Sequence, residues 1–306
     1  MTIKRTAVLA FILLVILAFS SASFGVKGKQ IYPMTLKDQW GNTFKFVSAP
    51  KRIVSCMPAI TEILFELDLA DEIVGVTEHC NYPEEAKDKE KVGRDKISLE
   101  KVVSLKPDLI VMSGDSQPAD IKKFRSFGLP VFVIDPKSMK DLMYSITLLG
   151  KATNRPHAAY SINQKIDRKL KWTEVRVKDS GKKKPKVFLE VWHKPLITAS
   201  KNTFLNDVIE KAGGINIAKS AKGAYPEYSF EKLIAADPDA IIIPKQNVSS
   251  PDLIFADMRW QKLRAVQNNK VLFIDADILS RPGPRIVYAI EEIASFIYEF
   301  GDNDEG

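Results

Sequence analysis

Short runs of apolar, often β-branched residues alternate with amphipathic stretches along most of the chain. The apolar runs predict strands at Ile53–Cys56, Ile73–Thr77, Leu109–Met112, Val131–Ile134, Val187–Trp192, Ala240–Ile243 and Val271–Ile274. Helical spacing is found at Thr61–Leu67, Leu99–Leu105, Ala119–Phe127, Thr203–Ala212, Phe230–Ala236 and Arg285–Phe300. Because parallel strands need a long crossover, strands separated by helices predict βαβ units and an α/β fold with parallel sheets.

Two further segments complete this pattern. Residues Met34–Phe46 hold two alternating stretches around a polar turn, which predicts a hairpin. Pro156 opens a stretch with helical spacing that ends at Ser180-Gly181, which predicts one stiff helix of about 24 residues between two α/β halves. We therefore expect four parts: a leader at 1–23, an N-terminal lobe at 24–155, a linker helix at 156–181 and a C-terminal lobe at 182–306.

The two halves share one local sequence. Residues 98–112 align with residues 229–243 without a gap, with matching Ser, Glu, Lys, Pro and Asp. Each copy has the pattern of a helix capped by Ser, stopped by Pro and followed by a buried strand. The alternative to an internal repeat is chance agreement, because capping rules alone favour Ser and Glu at these places.

The N-terminus has the pattern of a secretory signal. Lys4 and Arg5 precede 13 residues, from Ala7 to Phe19, without a polar side chain, and small residues follow at 20–23. A helix of that length spans about 20 Å, short of the roughly 30 Å hydrocarbon core, which favours a cleaved signal over a retained anchor. We therefore expect a periplasmic or otherwise extracytoplasmic protein.

Composition and charge narrow the function classes. The formal net charge is +7, or +5 once Lys4 and Arg5 leave with the leader, and the basic residues are spread along the chain. Nucleic-acid binding needs a basic stripe or a known module, so we expect no nucleic-acid partner. The sequence has no Gly-x-Gly-x-x-Gly after a strand, no Gly-x-Ser-x-Gly and no His-Glu-x-x-His, which argues against an exported enzyme.

Six segments carry a resemblance to a known family. They are RIVSCMPAITE at 52–62, VGVTEHCNYP at 74–83, SLEKVVSLKPD at 98–108, FLEVW at 188–192, GAYP at 223–226 and SRPGPR at 280–285. Together they resemble the substrate-binding proteins of ABC importers for cobalamin and ferric siderophores. The Asn-Tyr-Pro and Arg-Pro-Gly-Pro-Arg segments resemble the cobalamin branch more than the siderophore branch.

The resemblance implies a fold, a ligand and a partner. The fold is two Rossmann-like lobes with parallel sheets, joined by one long rigid helix, with the ligand cleft between the lobes. The ligand is a cobalt-containing corrinoid, carried by a monomer without a cofactor of its own, and the partner is a permease dimer. A ferric siderophore or haem is the alternative ligand, since Arg94, Arg281 and the positive charge would suit an anionic chelate.

Ligands of open α/β sheets bind beyond the carboxyl ends of strands, which selects the candidate ligand residues. They are Met57, Pro58, His79, Tyr82, Arg94 and Ser113 in the first lobe, and Trp192, His193, Tyr225 and Arg281 in the second. Tyr82, Trp192 and Tyr225 offer aromatic faces to a large flat ligand, unless they belong to the core. The family can carry aromatic residues where this chain has His79, Arg94 and Ser113, so we expect a less aromatic contact than the resemblance implies.

Histidine and cysteine leave two questions open. His79 is either a rim histidine or a contact to a metal held by the ligand, and we expect no metal site of the protein's own from His79, His157 and His193. Cys56 and Cys80 follow strands expected to be neighbours, so they form either a disulfide or two buried thiols.

Glu100 and Glu231 occupy the same place in the two copies of the repeat. An acid in the first turn of a helix is stabilised by the helix dipole and needs no other reason. The resemblance implies more, because the family presents one glutamate per lobe to arginines of a dimeric permease. Two equivalent lobes would then match two equivalent subunits.

Overall fold

The computed structural model describes residues 32–114 and 117–300. This region opens with an antiparallel hairpin, in which β1 is Met34–Lys37 and β2 is Thr43–Phe46. The predicted hairpin is therefore confirmed. The predicted leader at 1–23 lies outside the described residues.

A four-stranded parallel sheet forms the first half of the fold. Its strands are β3 (Ile53–Ser55), β4 (Ile73–Val76), β5 (Leu109–Ser113) and β6 (Val131–Ile134), in the order β4-β3-β5-β6. Every residue of β3 and β6 is buried, as expected for a parallel sheet covered by helices. The carboxyl ends of all four strands therefore lie at one edge of the sheet.

A second sheet is built around β7 (Lys186–Trp192). The short strands β8 (Ile197–Thr198) and β9 (Ile215–Asn216) flank it, and β10 (Ala240–Pro244) and β11 (Val271–Ile274) follow on its other side. All pairings are parallel except that of β8 with β7. All seven predicted strands form, whereas β8 and β9 are too short to carry a recognisable period.

Helices connect the strands of both sheets. They are Pro58–Glu66, Leu99–Ser104, Pro118–Ser126, Met139–Ala152, Pro156–Asp179, Phe204–Lys211, Phe230–Ala236, Asp252–Ala256, Arg264–Gln267, Ala276–Leu279 and Ile286–Tyr298. Short 3-10 helices occur at Glu84–Asp88, Lys245–Asn247 and Trp260–Lys262. Of the helices in residues 32–114 and 117–300, none combines the length and the apolar character needed to cross a bilayer.

The linker helix is Pro156–Asp179, with 24 residues. Ala159, Ile162 and Ile166 are buried on one face, at the spacing of successive helical turns. This face packs on the helices Met139–Ala152 and Ile286–Tyr298, one from each half of the chain. The predicted α/β fold with two parallel-sheet lobes and a long helix is thus confirmed. The residues from Pro33 onward form one compact unit, so the lobe borders at 155 and 182 stay a prediction.

Candidate ligand-binding cleft

The loops after β3 and β5 lie side by side in the first lobe. Met57 precedes the helix that Pro58 begins, and both are half-buried. Ser113 ends β5 and is also half-buried. The side chain of Gln117 joins the loops, because it accepts from Ser113 N at 3.4 Å and donates to the carbonyl oxygen of Cys56 at 2.9 Å. These three predicted residues share one sheet edge, and their contact with a ligand stays a prediction.

Trp192 and His193 lie at the end of β7 and differ in their exposure, since Trp192 is exposed and His193 is half-buried. The side chain of Trp192 is 56% exposed, and its indole N–H donates to the carbonyl oxygen of Lys194 at 2.9 Å. Nδ1 of His193 lies 3.0 Å from Oε2 of the buried Glu190, and the imidazole stacks on Trp260. A carboxylate at this distance favours the proton on Nδ1 and leaves Nε2 as the basic nitrogen. Trp192 therefore has an open face, whereas a buried acid positions His193.

Tyr225 lies in the loop after β9 of the second lobe. It is 49% exposed. Partial burial raises its pKa, and so does the negative charge of Asp135, the residue directly after β6. Burial also raises the pKa of Asp135 itself. The charge of Asp135 in the first lobe thus acts on the hydroxyl group of Tyr225 in the second lobe.

Arg281 crosses from the second lobe to the loop after β4. Its guanidinium donates to Oδ1 of Asn81 at 2.8 Å and lies 3.4 Å from the carbonyl oxygen of His79. Asp277 pairs with Arg281 at 2.8 Å and accepts from Asn81 at 2.9 Å. The two loops that carry the Asn-Tyr-Pro and Arg-Pro-Gly-Pro-Arg segments are thus in direct contact.

Glu62 lies at the centre of this contact between the lobes. Its side chain is 2% exposed, and Oε1 accepts from Arg281 at 3.0 Å. Arg285 donates to both carboxylate oxygens, at 2.6 and 2.9 Å. A Cβ added to Gly283 would lie 3.3 Å from Oε2, so the loop backbone also comes close to this carboxylate. The arrangement is a buried carboxylate with two charged partners, one of them bidentate.

Glu62 and Arg285 are site residues that were not predicted from the sequence. A signal for Glu62 exists in its neighbours, because Ile60, Ile63 and Leu64 make its helix strongly apolar and fully buried there. An acid at such a position needs a buried cationic partner. The sequence alone does not say which arginine supplies it.

Arg285 also covers Tyr82. The centre of its guanidinium lies 3.8 Å from the centroid of the Tyr82 ring, and the ring remains 42% exposed. The hydrogen bond with Glu62 raises the pKa of Arg285, so this cation stays charged. Because the guanidinium occupies one face of Tyr82, only the other face is open to a ligand.

His79 and Arg94 lie on the exposed rim of the first lobe. Nε2 of His79 lies 2.9 Å from Oδ1 of Asp95, and this hydrogen bond lowers the pKa of Asp95. The charge of Arg94 lowers it further, by a smaller effect. His79 therefore lies on the rim with one nitrogen engaged, and its contact with a metal held by the ligand stays a prediction.

Cys56 and Cys80 are free, buried thiols. The structure thus contains the second of the two predicted alternatives and not the disulfide. Burial raises the pKa of the Cys56 thiol far above its usual range, which keeps it protonated. Sγ of Cys80 lies 3.1 Å from the hydroxyl groups of both Thr61 and Thr77. Within the described part of the chain, no three His, Cys, Asp or Glu side chains gather as a metal site.

A cavity of about 980 Å³ lies along the linker helix, between it and the helix Ile286–Tyr298. Lys169 on one wall pairs with Glu291 on the other at 2.9 Å and lies over the ring of Tyr288. This groove is built mainly from helix sides, and the charges of Lys169 and Glu291 neutralise each other. The strand-end loops remain the better candidate for the ligand site.

Glu100 and Glu231 are exposed at the first turns of their helices. A hydrogen bond from each residue's own backbone N–H lowers the pKa of its carboxyl group, and the neighbouring Ser98 or Ser229 lowers it further. Each lobe therefore presents one ionised carboxylate to solvent at neutral pH.

Residues 53–278 match the sequence profile of the periplasmic binding protein family. An uncharacterized ABC transporter substrate-binding lipoprotein of Bacillus subtilis is 33% identical over 275 residues, which cover 88% of this chain and 87% of the relative. The crystal structure of the periplasmic vitamin B12 binding protein of Vibrio cholerae has a TM-score of 0.72 at 28% identity, and the match covers 81% of this chain and 96% of that one. A periplasmic heme-binding protein in complex with two hemes has a TM-score of 0.74 at 25% identity, with 82% and 99% covered. Because the profile spans most of the chain, and the relative is similar along nearly its whole length, this chain belongs to the periplasmic binding protein family.

Proposed function

We propose that this protein captures a corrinoid of the cobalamin type outside the cytoplasm and delivers it to the permease of an ABC importer. The observation that carries the proposal is the contact of strand-end loops from two parallel sheets, made by Arg281 with Asn81 and His79, together with exposed aromatic faces at Trp192 and Tyr225. Large flat ligands bind to such faces with a few polar groups for orientation. Similarity to a vitamin B12 binding protein and to an ABC transporter substrate-binding lipoprotein supports the proposal.

The charges in the cleft favour a neutral corrinoid over an anionic ferric chelate. Arg281 faces Glu62 and Asp277, and Arg285 faces Glu62, so neither arginine brings an uncompensated positive charge. Asp135 is likewise paired, with Lys137 at 2.9 Å. An anionic ligand would have to compete with these acids for the same cations.

Haem is the second candidate ligand. The similarity to a heme-binding protein supports it, and so does the orientation of His193. With Nδ1 held by Glu190, Nε2 of His193 is the nitrogen suited to bind the iron of a ligand.

Calorimetric titration of the purified protein with cyanocobalamin, hemin and an anionic ferric siderophore tests the ligand. We expect saturable binding of cyanocobalamin at micromolar concentration and none of the siderophore. Trp192→Ala should weaken cyanocobalamin binding about tenfold through loss of an aromatic contact, whereas Tyr160→Ala, on the exposed face of the linker helix, should not. Saturable binding of hemin alone would establish the second candidate instead.

We further propose that Glu100 and Glu231 dock the two lobes onto two permease subunits. Both carboxylates are exposed and ionised, and they lie at matching positions of the repeat. Charge pairs of this kind fix the register of a complex and speed association. This role needs a single copy of the chain, acting outside the cytoplasmic membrane, and it requires no catalytic activity.

The double substitution Glu100→Gln with Glu231→Gln tests docking. It should leave ligand affinity and folding nearly unchanged but abolish uptake of labelled ligand in cells that depend on this protein. The matched control is Glu85→Gln with Glu210→Gln, which removes one exposed glutamate from each lobe. Normal uptake by the double variant would reduce Glu100 and Glu231 to helix-capping residues.

A further inference from the structure

The turn of the N-terminal hairpin brings an indole to the carboxyl ends of β5 and β6. Trp40 lies between β1 and β2, and its indole hydrogen-bonds to Asp135, directly after β6. Gly114 follows β5, and a Cβ added there would overlap with Nε1 of Trp40 and lie 2.7 Å from the Asp135 carboxylate. Only a residue without a side chain leaves room for the indole at this sheet edge.

The turn is fixed to the first lobe by an extended set of hydrogen bonds. Gln39 donates its backbone N–H to the carbonyl oxygen of Val133 at 3.0 Å. Its side-chain oxygen accepts from Asp135 N and from Ser145 Oγ. Asp38, paired with Arg125, accepts from the backbone N–H of Trp40 at 3.0 Å. The indole is therefore held in place before any ligand binds, which reduces the entropic cost of a contact.

The indole lies where the two lobes approach each other. Asp135, its hydrogen-bond partner, begins the short segment that leads to Met139, and the backbone N–H of Met139 donates to Asp207 of the second lobe at 2.6 Å. The charge of Asp135 also acts on Tyr225 of the second lobe. Trp40 is 36% exposed, so part of the residue is accessible to a ligand although it packs at the sheet edge. Ser113, beside Gly114, has too small a side chain to offer an aromatic face.

We propose that Trp40 forms an aromatic wall of the ligand cleft and contacts the flat conjugated face of a bound macrocycle, in place of the aromatic side chain that Ser113 lacks. This inference rests on the proposed function, because it assumes a corrinoid or haem-like ligand in the cleft. Asp135 and Gly114 position the indole, the first by a hydrogen bond and the second by leaving space. Trp40 and Tyr225 then limit the cleft from opposite lobes.

Titration of the full-length mature protein with cyanocobalamin and with hemin tests this role. Trp40→Ala should raise the dissociation constant of the ligand that wild type binds by about tenfold. Trp40→Phe keeps an aromatic face without the N–H and should fall between. The matched control is Val47→Ala, which removes an exposed apolar side chain just after β2 and should change nothing. Circular dichroism and thermal melting check that each variant is folded.

Gly114→Ala provides a second test of the role of the indole, in which Trp40 itself is retained. The new methyl group must displace the indole, so we expect weaker binding in the wild-type background and a smaller effect when Trp40 is already alanine. If the folded Trp40→Ala variant binds the ligand with the same affinity as the wild-type protein, the inference about Trp40 is overturned and the proposed function is unaffected. Failure of the wild-type protein to bind either macrocycle overturns the proposed ligand class, and this inference with it.

Discussion

The two copies of the helix–strand segment are alike at one end and unlike at the other. Ser98 and Ser229 each accept the backbone N–H three residues on, and a residue with left-handed backbone follows each helix, Lys106 in one copy and Asp237 in the other. Asp108 accepts the backbone N–H groups of Lys51 and Arg52, as Asp239 accepts that of Lys186. Corresponding residues thus make the same helix caps and the same hydrogen bonds to backbone N–H groups in both lobes.

The carboxyl ends of the corresponding strands differ completely. After β5 the chain has Ser113 and Gly114 beneath an indole, whereas β10 ends in Pro244 and a 3-10 helix. The shared end fixes the fold, and each lobe uses the other end separately for the cleft. If the strand ends bind the ligand as proposed, ligand specificity lies where the copies diverge, and a symmetric permease would contact the part that both copies share.

The largest expected effect is on the free energy of unfolding, and it distinguishes two acidic residues that each make a contact with the other lobe. Glu62, on the helix after β3, meets two guanidinium groups while almost fully buried. Asp207, on Phe204–Lys211, has one hydrogen-bond partner among the described residues, because it accepts the backbone N–H of Met139 at 2.6 Å. Glu62→Gln leaves Arg285 without its carboxylate and Arg281 with Asp277 alone, and it should lower the free energy of unfolding by about 3–5 kcal/mol. Asp207→Asn should cost about 1 kcal/mol.

Urea unfolding followed by circular dichroism measures both variants. Glu84→Gln removes an exposed partner of Lys87 and, as the control, should change stability by less than about 0.5 kcal/mol. If Glu62→Gln costs no more than Asp207→Asn, the arginine cluster does not hold the lobes together.

Local periodicity explains why most of the fold could be predicted. Strands such as β3 and β6 bury every residue, and the linker helix carries Pro156 at its start and Gly181 after its end. The contacts of the cleft have no such local signal. Glu62 finds Arg285 across most of the chain, and Trp40 reaches Asp135 only because Gln39 attaches the hairpin to β6. Partner choice at this separation is set by tertiary packing and not by spacing along the sequence.

A smaller difference in stability is expected between glycine substitutions at Lys106 and at Asp237. The two residues share a backbone conformation but differ in their side-chain contacts. Their φ angles are 48° and 40°, in the region that favours glycine. Lys106→Gly should therefore raise the free energy of unfolding, by up to about 1 kcal/mol. Asp237→Gly also removes the ion pair with Arg264, so it should give no gain. Equal stabilisation of both variants in urea unfolding would show that the Arg264 pair contributes nothing.

The smallest effect concerns the pKa values of Glu100 and Glu231, and it tests the equivalence of the copies most directly. In both residues the backbone N–H lowers the pKa first and the capping serine lowers it further. The charged form is favoured in the folded state, so any contribution to stability is present above the unfolded pKa and is lost as the pH falls through the folded pKa. Carboxyl-carbon NMR titration should place both midpoints below the ordinary glutamate value. Ser98→Ala should raise the midpoint of Glu100 and leave Glu231 unchanged, and Ser229→Ala should do the reverse. A change at both glutamates from one substitution would mean that the helix starts are coupled. No change at either would assign the lowered pKa to the backbone N–H and, at Glu100, also to the charge of Lys123.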